Sequence, residues 1–138
     1  MSQSTRIDIR ELEGKALDWA VATAEGLKSE TWHTSAIAVH YPNAPRAVPF
    51  KPSTDWSQGG PIVEREKIHL VPETDDTQCH AQIGYNSWDG YWKFFGNGET
   101  MLVAAMRCYV ESKLGLEIEI PQELLSSIKP ASKQGLAP

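Results

Sequence analysis

Apolar residues recur along this chain at two spacings, and the switches between them mark out its elements. Leu12, Ala16, Leu17, Ala20, Val21 and Ala24 fall at helical spacing and predict a first amphipathic helix. Asp8 and Glu11 precede it as a D-x-x-E capping arrangement, and Gly26 stands where a C-terminal stop belongs. On this reading Gly14 lies inside the helix, at a cost of about 1 kcal/mol against alanine. The stretch from Trp32 to Tyr41 is rich in β-branched, aromatic and small apolar residues and contains a strand. Pro42, Pro45, Pro49 and Pro52 follow. Each lacks an amide donor, so residues 42–52 read as a loop or a stiff extended connector.

Ser53 or Thr54 is placed to cap a second helix, with Asp55 in its first turn near the positive end of the dipole. Gly59, Gly60 and Pro61 interrupt it: Pro61 either kinks one helix or opens another, with Gly60 as its cap. Glu64 to Lys67 read as a solvated end. Ile68 to Val71 form a short strand, and the polar stretch 72–78 a flexible connection. Cys79, Ala81, Ile83 and Tyr85 then alternate with His80, Gln82 and Gly84, the period of two of a half-buried strand. Asp89-Gly90 supplies a hairpin turn and Tyr91 to Phe95 the returning strand. Gly96 to Glu99 break the pattern. Thr100 caps a third helix that carries Leu102, Ala105, Met106 and Tyr109 on one face and ends at Gly115. Leu116, Ile118 and Ile120 alternate with glutamates in a short strand or arm stopped by Pro121, and Glu123 to Ile128 add a helical turn. This order predicts an α+β fold: one small antiparallel sheet packed with about three helices. Residues 1–128 form a single domain and 129–138 a flexible C-terminal tail.

Composition narrows the function classes. A chain of 138 residues can bury a core without disulfides or metal. Its net charge of −5 argues against binding nucleic-acid polymers, which takes basic patches, but leaves a small anion held by local donors possible. Cys79 and Cys108, its only cysteines, read as buried thiols in a reducing cytoplasm. No apolar leader or run of about 20 apolar residues is present, so a soluble cytoplasmic protein is expected, without membrane contact.

The chemistry-bearing residues point to binding more than to catalysis. His33, His40, His69 and His80 show no zinc-ligand spacing, and Cys79 and His80 point to opposite faces of a strand, so no metal and no cofactor are expected. No G-x-S-x-G elbow occurs, and Cys108 sits mid-helix. Gly96-Asn-Gly98 lacks the Lys-Ser/Thr of a P-loop and reads as a turn feeding a helix. The helix starts near Ser53-Thr54 and near Thr100, however, present free amides suited to a phosphate or carboxylate. Trp19 and Trp32 fit core positions; Trp56, Trp88, Tyr91 and Trp92 lie in or beside loops. Trp56 has polar neighbours and is the aromatic best placed for function.

Three stretches carry a family resemblance: Leu12 to Val21, Pro52 to Glu66, and Thr100 to Gly115 running on to Pro121. Together they resemble the phage NinX-like proteins, whose fold is described as a phage alpha-beta-alpha sandwich domain. The resemblance implies a gene carried by a phage or prophage and supplies no catalytic residues. By analogy with small phage proteins that counter host defence, the expected function is sequestration, without catalysis, of a nucleotide-derived signal. Cyclic oligonucleotides and ADP-ribose-type products are the expected ligand classes. Ser53, Thr54, Asp55, Trp56, Gln58, Gly59, Gly60, Trp88 and Arg107 form the candidate ligand site. Trp56 would stack on a base, Ser53, Thr54 and Gln58 would hydrogen-bond, and Arg107 would neutralise a phosphate unless it pairs with a carboxylate. The alternatives are an interaction module that blocks a host enzyme and a small nucleotide hydrolase. A homo-oligomer is also expected, from the apolar side chains and unpaired edge of Leu116 to Ile120.

Overall fold

Helix α3, Met101–Leu114, is the element around which the others are arranged. Thr100 caps it, its side-chain oxygen accepting from the Val103 amide at 3.1 Å, and Gly115 ends it at φ 95°. The sequence marks one apolar face. The helix is in fact buried more widely, with Ala104, Cys108 and Val110 fully covered as well as Leu102, Ala105, Met106 and Tyr109. One side rests on a sheet of β5 (His69–Val71), β6 (Cys79–Ile83) and β7 (Phe94–Gly98), while another meets helices α1 (Gly14–Ala24) and α2 (Trp56–Arg65). The computed structural model describes residues 4–31, 36–72 and 78–127. Trp32, most of the connection before Cys79 and the tail 129–138 lie outside the described residues.

The returning strand β7 begins at Phe94 and contains Gly96 and Gly98, which the sequence reads as breakers. Close packing explains this. A Cβ on Gly96 would stand 2.2 Å from the Ala104 carbonyl oxygen and 2.6 Å from the Cys108 amide. Glycine therefore lets α3 lie directly on the strand. Tyr91 and Trp92 fall before β7, in the hairpin connection.

Asp8 does act as a cap, accepting from the Arg10 amide at 2.8 Å, but of a 3₁₀ turn at Ile9–Glu11. Helix α1 starts afterwards at Gly14, whose φ of 59° turns the chain into it, so this glycine opens the helix and does not interrupt it. At the other end Gly26, at φ 76°, donates to the Thr23 carbonyl and Leu27 to that of Ala22, which completes a Schellman stop.

The expected single sheet is three small antiparallel ones: β1–β8, β2–β3–β4 and β5–β6–β7. The α+β class stands. Strand β1 (Ser4–Asp8) pairs with β8 (Glu117–Pro121), and Ile118 and Ile120 turn into the core. The segment read as a free edge thus has a partner strand on one side; its isoleucines turn inward, while Leu116 stays exposed. Strands β2 (Lys28–Thr31), β3 (Ile37–His40) and β4 (Val48–Phe50) form the second sheet, with Pro49 on an edge strand where its missing donor costs least. Helix α2 is one continuous helix through Pro61; Ser57 and Pro61 are exposed, so the carbonyl that Pro61 leaves unbonded faces water.

The end read as solvated, Glu64 to Lys67, is partly tied down. Arg65 reaches Glu25 at 2.5 Å, Glu66 at 2.8 Å and the Tyr109 hydroxyl at 3.2 Å, and Tyr109 donates to Glu25. Burial works to raise the Glu25 carboxyl, but the Arg65 guanidinium and the Tyr109 hydroxyl overcome it and hold it below its ordinary range. This cluster ties the end of α1 to the ends of α2 and α3.

Candidate functional site

The first turns of all three helices open onto one cavity of about 780 Å³. Small-ligand sites commonly measure about 300–1,000 Å³. Glu13 and Gly14 come from the start of α1, Ser53, Thr54 and Trp56 from the start of α2, and Thr100 to Val103 from the start of α3. Arg10, Glu11, Gln78, Glu99 and Arg107 complete the wall. Helix N-termini present amides without intrahelical acceptors and the positive end of the peptide dipole, so their convergence favours negative charge. The N-cap residue of α1, Glu13, does not cap the helix with its side chain.

Ser53 is 1% exposed. Its amide donates to Asp18 Oδ1 at 2.9 Å, which fixes the turn before α2 against α1. Its hydroxyl lies near enough to lower the Asp18 carboxyl but completes no hydrogen bond of normal geometry. Thr54 is exposed on the same wall. Trp56, 49% exposed, is the first residue of α2, and Gly60 one turn on lies beneath its ring. A flat aromatic face beside helix starts suits a ring with an anionic substituent.

Arg107 reaches the cavity from the second turn of α3. Its Nε donates to the Leu12 carbonyl at 2.9 Å and its Nη1 to that of Asn97 at 2.8 Å, so the guanidinium is fixed by backbone and not by a carboxylate. Burial pushes its pKa below the ordinary arginine value, against the pull of Glu13 and Glu99.

Four of the nine residues singled out from sequence therefore meet at this cavity: Ser53, Thr54, Trp56 and Arg107. The other five serve elsewhere. Asp55 is the actual cap of α2, its carboxylate held below the ordinary range by the Ser57 hydroxyl and amide. Gln58 clips α2 to the preceding segment, accepting from the Lys51 amide at 2.7 Å and donating to the Pro49 carbonyl at 2.9 Å. Gly59 is buried where a Cβ would stand 2.4 Å from the Pro52 carbonyl oxygen and 2.7 Å from Leu102. Gly60 supports Trp56. Trp88 is 96% exposed in the connection before β7, away from the cavity wall. The starts of α2 and α3, which line this cavity, are legible in the sequence. The start of α1, with Arg10, Glu11, Glu13 and Gly14, was hidden by placing that helix too early.

Among the described residues, no group of three or more His, Cys, Asp or Glu side chains is placed to hold a metal ion, the three wall glutamates included. No histidine or cysteine lines the described wall. Cys108 lies within the core, where burial pushes its thiol up to about 12. No described helix is long and apolar enough to cross a membrane. No curated protein gives a significant match to the chain. The family model described as Bacteriophage P22, NinX matches residues 8–113, and the chain belongs to that family.

Proposed function

We propose that this protein binds a nucleotide-like small molecule in the cavity between the three helix starts and holds it without transforming it. The carrying observation is the convergence of three helix N-termini, Arg107 and Trp56 on one cavity. The helix starts and Arg107 would receive a phosphoryl group, and Trp56 would stack on a base. For a phage-encoded protein acting in the host cytoplasm during infection, such holding would serve counter-defence by sequestering a nucleotide-derived signal. Among the described residues the wall offers the hydroxyls of Thr54 and Thr100 but no histidine to activate them, which supports a binder over a hydrolase.

The test is a thermal-shift screen of the purified protein against cyclic dinucleotides, cyclic trinucleotides and ADP-ribose isomers. A ligand at one hundred times its Kd stabilises the native state by about 2.7 kcal/mol, on the order of 8 °C for a chain of this size. Trp56→Ala is expected to lose that shift while keeping its own melting temperature. A flat response across the panel would instead favour a protein-interaction module, a reading supported by the exposure of Tyr85, Trp88 and Tyr91 around one connection.

A further inference from the structure

Charge on the cavity wall restricts the ligand more narrowly than shape does. Two arginines face three glutamates there. Arg10 is already committed to Asp8, with its Nη2 2.6 Å from Oδ2 and its Nε 3.0 Å from Oδ1. Arg107 differs: it bonds only to two backbone carbonyls, and among the described residues no carboxylate stands at ion-pair distance from it. A partly buried guanidinium in that state gains from an anion brought by a ligand. Two backbone donors line the same space. The Met101 and Leu102 amides, in the first turn of a fourteen-residue helix, have no intrahelical acceptor. Ser53 lines the same wall, and its hydroxyl, buried beside Asp18, makes no hydrogen bond. These donors suit one negative charge. A second would meet Glu13 and Glu99, which already act electrostatically on Arg107.

We infer that the cavity selects a phosphodiester, which brings one negative charge to the wall, over a phosphomonoester or a pyrophosphate, which bring two close together. This rests on the nucleotide-binding reading and narrows it, favouring oligonucleotide-type signals over ADP-ribose-type ones. A diester stays singly charged near neutral pH, whereas a monoester approaches two charges above a second pKa of about 6.

The experiment is isothermal titration of the full-length protein at pH 8 and fixed ionic strength with matched pairs. These are 3′,5′-cyclic AMP against 5′-AMP, cyclic GMP against 5′-GMP, and cyclic di-AMP against ADP-ribose, two dianions whose phosphates are separate in the first and adjacent in the second. The diester of a binding pair is expected to win by on the order of tenfold, the effect of one added like charge at close range. Glu99→Gln, at an exposed position, should narrow that gap by strengthening the monoester. A monoester or ADP-ribose that binds as tightly as the diesters would overturn the inference and leave the nucleotide reading standing. Failure of every compound to bind would remove both. A gap unmoved in both Glu99→Gln and Glu13→Gln would also overturn it, because the discrimination would then not come from wall charge.

Discussion

Replacing Asp18 with asparagine isolates the cost of a buried carboxylate behind the cavity wall. Asp18 is 3% exposed, and its Oδ1 accepts the Ser53 amide at 2.9 Å. Burial raises its pKa from 3.8 to about 6, against the opposing pull of Ser53 and Lys51. For an acid raised in this way the native state holds the proton more firmly than the unfolded chain. Its contribution is therefore most favourable below the unfolded pKa and is lost as pH rises through about 6. A rise of about two pKa units corresponds to about 3 kcal/mol. Asparagine keeps a carbonyl oxygen for the Ser53 amide and carries no charge at any pH, and its amide can donate to the unpartnered Ser53 hydroxyl. The variant is expected to be more stable than the parent by about 1–3 kcal/mol at pH 8, with the gain shrinking towards zero near pH 4. Urea unfolding followed by tryptophan fluorescence across pH 4–8 measures both curves. Asp8, Glu25 and Asp55 titrate in both proteins and cancel in the difference. A variant less stable at pH 8, or a difference flat with pH, would refute the reasoning: the hydrogen bond to Ser53, not the buried charge, would then dominate.

Adjacent glycines in α2 should respond in opposite directions. Gly59→Ala drives a Cβ to 2.4 Å from the Pro52 carbonyl oxygen and should cost about 1–3 kcal/mol. Gly60→Ala meets nothing nearer than the Trp56 ring at 3.8 Å and should gain up to about 1 kcal/mol from helix propensity; thermal melts of the two variants check the sign of each. Tyr109→Phe removes the hydroxyl shared by Glu25 and Arg65 and should cost about 1.5–3 kcal/mol in urea unfolding; an unchanged midpoint would show that the Arg65–Glu25 pair holds the helix ends without it.

Local signals carried much of the fold. The Thr100 cap, the Gly115 and Gly26 stops and the alternation of Cys79 to Ile83 stand in the structure within a residue or two. What escaped was set by distant contacts. Strand β1 has one strongly apolar residue, Ile7, and owes its pairing to β8, more than a hundred residues away, with Arg6 reaching Glu117 at 2.9 Å across the pair. Strand β4 contains a proline, tolerable only because it lies on an edge. Gly96 and Gly98 look like turn residues until α3 is laid on them, and only then does their missing Cβ become the reason that the strand continues.

The same division explains the site. Ser53 to Gly60 are consecutive in sequence, but a helix turns about 100° per residue, so neighbours past the first turn face different surroundings. Trp56 faces the cavity, Gln58 reaches back to Lys51 and Pro49, and Gly59 meets Leu102. A polar run could therefore announce a helix start as a site but could not say which of its side chains belong to it. Arg107 shows the converse. Its chemistry was legible, but its bonds to the Leu12 and Asn97 carbonyls tie the approach to α1 to strand β7. Loss of ligand binding on replacing Arg107 would mix a lost anion contact with a shifted wall. Trp56 and Thr54, exposed on the same wall and bound to no distant element by their side chains, are the positions at which binding and folding can be read separately.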